Sequence, residues 1–156
     1  MQTGILHLHN LMRWVVILFI LLTLIKSAGG LNGLKAFTAG DRKTALFLMI
    51  SVDIQLLLGL YLYFAGAWGV KNIQNQGMGN VMKDSVSRFF AVEHLAGMLI
   101  GLVLIHIGYA AVKKNIADKA KFKKLFLFTL FAAIIMLASV PWPFREGIGR
   151  PLFPGM

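Results

Sequence analysis

Four long apolar runs, separated by short polar or glycine-rich stretches, organise this chain. The first covers about 5–25 and is interrupted early by His7, His9, Asn10 and Arg13. The second covers about 44–68, the third about 88–112 and the fourth about 125–140. A helix needs roughly 20 mostly apolar residues to cross the hydrocarbon core of a bilayer. The pattern therefore predicts one all-α domain over 1–156, a four-helix transmembrane bundle of up-down-up-down topology. Asp41 is the expected N-cap of the second helix, and Asp84, Ser85 or Ser87 that of the third. The stretch 69–83, with Asn72, Asn75, Gly77, Gly79 and Asn80, reads as a polar loop. Pro141-Trp142-Pro143 should stop the fourth helix, leaving an interfacial tail over 141–156.

Composition sharpens this picture. Of 156 residues, 58% are hydrophobic and 14% charged, far too little polar surface for a water-soluble domain of this length. Four spans and their loops leave no room for a separate soluble domain. The net charge of +10 would suggest nucleic acid in a soluble protein. Here the basic residues flank apolar runs, so the partner they imply is the lipid bilayer and not nucleic acid. Cysteine is absent, which excludes disulfides, iron–sulfur ligation and covalent c-type haem attachment. The first residues lack the basic region of a signal peptide, so the first run reads as a retained span.

Charge also sets an orientation. The first and third loops carry ten Lys and Arg residues, against six on the other side. The positive-inside tendency puts those two loops in the cytoplasm. The expectation is a multi-pass protein of a cell inner membrane with both termini on the non-cytoplasmic side.

Ionisable groups inside a bilayer are costly and are functional candidates. Two sets occur at matching depth. The outer set comprises His9 and Arg13, four residues apart on one helical face, with Arg88, Glu93 and His94 at the start of the third span and Arg145 and Glu146 after the fourth. Trp14 and Trp142 flank it. The inner set is Asp53 and His106, which antiparallel neighbours would bring together as a structural hydrogen-bonded pair.

Two neutral imidazoles on opposite sides of an iron make a six-coordinate electron-transfer haem. A flat macrocycle needs a slot, and Gly97, Gly101 and Gly108 follow His94 on nearly one face, while Gly59 and Gly66 are a heptad apart on the second span. Arg13, Arg88 and Arg145 would meet the propionates, and Glu93 would take up a proton on reduction. Of His7 and His9, only one can face the slot, because two residues turn a helix by about 200°. Plainer roles compete with these: Gly97 and Gly101 as a helix-packing pair, Arg13 with Glu93 as an ion pair, His7 as a headgroup-level residue. His94 and His106 are 12 residues apart, and no other span offers a deep histidine for His106, so one haem is the limit.

Leu8-His9-Asn10-Leu11-Met12-Arg13-Trp14 and Val92-Glu93-His94-Leu95-Ala96-Gly97, with the basic loops and the Pro-Trp-Pro exit, resemble the small four-helix b-type cytochrome-like membrane proteins of bacteria. The resemblance implies haem b binding and electron exchange with quinol or a larger redox complex, as a carrier or redox subunit more than a complete enzyme. The chain departs from that pattern in lacking a second histidine pair. Two other functions fit the sequence: a cofactor-free accessory subunit of a membrane assembly, and a small proton-coupled transporter, for which a homo-oligomer would supply the missing internal symmetry.

Overall fold

The computed structural model describes residues 2–153, which are helical and contain no strand. Helix α1 spans Gln2–Ala28 and α2 spans Ala39–Ala65. Two short helices follow, α3 (Val70–Gln76) and α4 (Met78–Lys83). The next long helix begins as α5 (Ser85–Arg88), passes through a π-helical turn at Phe89–Glu93 and continues as α6 (His94–Val112). The last is α7 (Asp118–Ala138). The four long helices pack antiparallel, with α1 beside α2 and α7, and α6 beside α7 and α2.

Among the described residues, three segments are long and apolar enough to cross a membrane: Gln2–Ala28, the Ala39–Gln76 stretch that contains α2, and Ser85–Val112. Helix α7 is different. Lys119, Lys121, Lys123 and Lys124 occupy its first two turns, which shortens its apolar part.

The predicted cap of α2 is corrected by one turn. Thr38 is the N-cap, and Asp41 stands three residues inside the helix as the other half of a capping box. Thr38 donates to Asp41 Oδ2 through both its backbone N–H (3.0 Å) and its hydroxyl (2.7 Å). The Asp41 backbone N–H donates in return to Thr38 Oγ1 at 3.2 Å. Both kinds of residue satisfy orphan helix donors, and the spacing of three allows both to act. Asp84 does cap α5, accepting from the Ser87 N–H at 2.7 Å.

The 69–83 stretch is helical where a loop was expected. Gly77, at φ +77°, divides it into α3 and α4. Val81 is completely buried and Asn72 nearly so, so this segment is folded down onto the bundle. Its isolated apolar positions are too few to show as a periodic pattern in sequence. Helix α7 ends at Ala138, ahead of Pro141, as the residue before a proline is disfavoured in helical geometry. The end of the predicted tail, 154–156, lies outside the described residues.

The core runs along the bundle axis through Val16, Ile20, Leu48, Val52, Ile105, Ala132, Ala133 and Met136. A second cluster, Ala45, Tyr109, Val112 and Leu125, fills the lysine-rich end. There Asp118 ties the α1–α2 loop to α7 by accepting from the Phe37 N–H at 3.0 Å and from Lys121 at 3.2 Å. The Phe37 bond, then Lys121, holds the Asp118 carboxyl below its ordinary range.

Small residues set the α6–α7 seam. A Cβ on Gly97 would lie 2.0 Å from Ser139 Oγ, one on Gly101 2.3 Å from Met136 Cγ, and one on Gly108 3.2 Å from Phe128 Cβ. These glycines let the two backbones approach, as small residues at heptad-like spacing do between apolar helices.

Candidate functional site

A cavity of about 530 Å³ opens at the end of the bundle where α1 begins and α7 ends. Its walls come from α1, α2, the start of α6 and the chain after α7, and they are mostly apolar. His9, Arg13, Gln55, His94 and Arg150 provide polar groups in this lining. His9 and Arg13 share a face of α1 because they are four residues apart. The π-helical turn at Phe89–Glu93 inserts an extra residue into its turn and so resets the direction in which His94 leaves the helix. Tyr63 Oη donates to the Ala91 carbonyl inside that turn at 3.2 Å, bracing it from α2.

The two histidine rings approach edge to face. Their ring centroids are 6.4 Å apart and the rings are inclined at 70°. His94 Nδ1 lies 2.7 Å from the Ser139 carbonyl. A carbonyl only accepts, so Nδ1 carries the proton and Nε2 keeps its lone pair. That arrangement fixes the ring's orientation and tautomer, as the outer partners of metal-bound histidines do. His9 is held from α2. Gln55 Nε2 donates to the His9 carbonyl at 3.1 Å and meets His9 Nε2 at 3.3 Å. The ring lies on Gly59, where a Cβ would stand 3.1 Å from His9 Cε1. Among the described residues, His9 Nδ1, Gln55 Oε1 and Arg13 Nε are buried without a hydrogen-bond partner, so this cavity has unused polar capacity.

The chain after α7 covers one side of the site. Arg13 Nη2 donates to the Leu152 carbonyl at 2.6 Å, and Trp14 Nε1 donates to the same oxygen at 3.1 Å. Phe153 stacks on Trp14 with centroids 5.4 Å apart. Arg150 lies over the rings of Phe90 (4.7 Å) and Trp68 (5.6 Å).

Several residues expected at this site sit elsewhere. Gly97 and Gly101 face α7 and do not line the cavity; Gly59, Gly66 and Gly69 do. Arg88 is bound to Glu93 at 2.7 Å and to the Met82 carbonyl, on the exposed side of the helix. Glu93 therefore pairs with Arg88, not Arg13, and its side chain is turned outward at 46% exposure. Neighbouring residues diverge by about 100°, so His94 pointing inward sends Glu93 away. Arg145 donates to the Ala138 and Val140 carbonyls and packs over Phe89, closing the end of α7. Trp142 likewise donates to the Leu137 carbonyl. His7 lines the cavity with His9, so the two-residue offset does not remove it from the site's surroundings.

Gln55 and Arg150 were not picked out from the sequence. Gln55 carried a usable signal, an amide inside an apolar span. Arg150 had none, because a residue in an irregular tail is placed by packing alone. The inner pair does form: His106 Nε2 lies 3.3 Å from Asp53 Oδ1.

Among the described residues, no three His, Asp or Glu side chains gather as a metal-binding group. A metal between His9 and His94 would have to bring its other ligands with it. No family model, curated protein or solved structure matches this chain. Fold and site define a small all-α bundle with three helices suited to a membrane and a mostly apolar cavity walled by a histidine pair.

Proposed function

We propose that this protein is a membrane-embedded b-type cytochrome that holds one haem b between His9 and His94 and exchanges electrons with quinol or a partner complex. The observation that carries the reading is that His9 and His94 come together in the wall of one mostly apolar cavity, their ring centroids 6.4 Å apart. The donor set fits as well. His94 already has Nδ1 committed to a carbonyl and Nε2 free. His9 Nε2, now 3.3 Å from Gln55 Nε2, would be the second donor to the iron if that contact were given up.

Arg13 and Arg150, the arginines in the cavity wall, are the propionate partners in this reading, in place of Arg88 and Arg145. Bound there, the iron would supply a one-electron couple. The protein's part is to fix two imidazoles, exclude water with apolar walls, and compensate anionic groups with guanidinium. The membrane reading extends to α7 as a fourth, shorter span, with the lysine-rich end in the cytoplasm and both termini outside. Reporter fusions at Gly33 and at Asp118 should behave as cytoplasmic, and one after Asn75 as external. A cytoplasmic signal after Asn75 would refute that orientation.

The deciding experiment is an absorption spectrum of the protein purified in detergent from haem-sufficient cells, oxidised and then reduced. A low-spin six-coordinate spectrum with about one haem per chain is expected. Folded, colourless protein would reject the cytochrome and favour the accessory-subunit reading.

A further inference from the structure

Asp53 and His106 sit inside two of the membrane-length segments, yet they do not face the bundle interior. Their side chains remain 42% and 40% exposed in the groove between α2 and α6. The neighbouring positions are apolar and open. Ile50 and Leu57 lie on the Asp53 face of α2, three residues before it and four after, and Val103 lies one turn before His106. His106 Nδ1 is 3.0 Å from the Leu102 carbonyl, while Nε2 points at the carboxylate. Both ring nitrogens thus face oxygen atoms. Hydrocarbon offers no hydrogen bonds to such a pair, so ionisable groups in membranes are covered by protein or border water.

We propose that this face is an interface with a second copy of the chain, related by a twofold axis along the membrane normal. The reason is self-complementarity. The acid lies on one helix and the base at the same depth on its antiparallel neighbour. A twofold along the normal keeps depth and exchanges left for right, so α2 of each copy lies against α6 of the other. Asp53 of each copy then stands opposite His106 of the other, and one alternating four-group cluster replaces two lipid-facing pairs. A chemically different partner would have to carry the same acid and base in the reversed order; this chain already does. The interface does not involve the cavity and is independent of what the cavity binds.

The natural chain has no cysteine, so single introduced cysteines report contacts cleanly. Differently tagged Leu57→Cys and Val103→Cys chains, co-purified and reconstituted in phospholipid vesicles at low protein-to-lipid ratio, should form a disulfide-linked dimer on mild oxidation. Ile134→Cys, exposed on α7, should not. Adding Asp53→His or His106→Asp alone should cut the cross-linked yield at least tenfold. The exchanged pair, Asp53→His with His106→Asp, should restore it, with helical circular dichroism confirming that each variant is folded. Monomers throughout, equal cross-linking through Ile134→Cys, or unchanged yield in the folded single variants would each overturn the interface.

Discussion

Replacing His94 by alanine is expected to abolish the six-coordinate spectrum that the cytochrome reading requires. The side chain occupies the inner wall of the cavity, and its ring orientation is set by the 2.7 Å bond to Ser139. Alanine removes the ligand without disturbing the helix, since alanine is the best helix former. The result should be protein purified with little or no haem, or with a five-coordinate spectrum from His9 alone. Imidazole added to His94→Ala should restore the six-coordinate form, which a merely misfolded variant would not show. His9→Ala should act alike. His7→Ala should leave the spectrum in place, because the 6.4 Å ring separation belongs to His9 and His94. Retention of a six-coordinate spectrum in His94→Ala would move the ligand elsewhere.

The second large effect is expected at Gly101. A Cβ there would stand 2.3 Å from Met136 Cγ and 2.8 Å from Met136 Sδ. Met136 is a buried core residue, so it has little room to withdraw. Gly101→Leu should therefore push α6 away from α7 and cost about 1–3 kcal/mol, the usual range for overpacking. The same change at Gly97 meets Ser139 at 2.0 Å and should behave similarly. Denaturation monitored by circular dichroism measures this directly. The loss should be equal with and without haem in the preparation. A variant of normal stability that fails only to take up haem would put these glycines back in a cofactor slot and contradict the seam.

The all-α, antiparallel architecture was legible in the sequence because apolar run length is a one-dimensional property. A run such as that of α1 can do little in a polypeptide except form a helix that satisfies its own backbone. Capping chemistry was nearly legible: Thr38 and Asp41 both carry the right side chains at the right spacing, and only the backbone conformation tells which is the cap. The pairing of Asp53 with His106 also followed from depth counting, since about 1.5 Å per residue along antiparallel helices fixes height.

Direction around each helix axis was the harder quantity. Gly97 and Gly101 share a face with His94 only approximately, and that face is turned towards the end of α7, where Ser139 meets both His94 and the Gly97 position. The glycines consequently meet α7, and the glycines of α2 meet the cavity. The arginines show the same limit. Arg88, Arg145 and Arg150 are equivalent as charges near one end of the bundle. Only tertiary packing assigned Arg88 to Glu93, Arg145 to the end of α7 and Arg150 to the cavity wall. What the sequence determined by itself was the number of long helices, their alternating directions and the height of each polar group along its helix, because these depend on distance along the chain. What the tertiary structure decided was which groups face one another across the bundle, because azimuth depends on helix rotation, local π geometry and the fold of an irregular tail, none of which leaves a periodic trace.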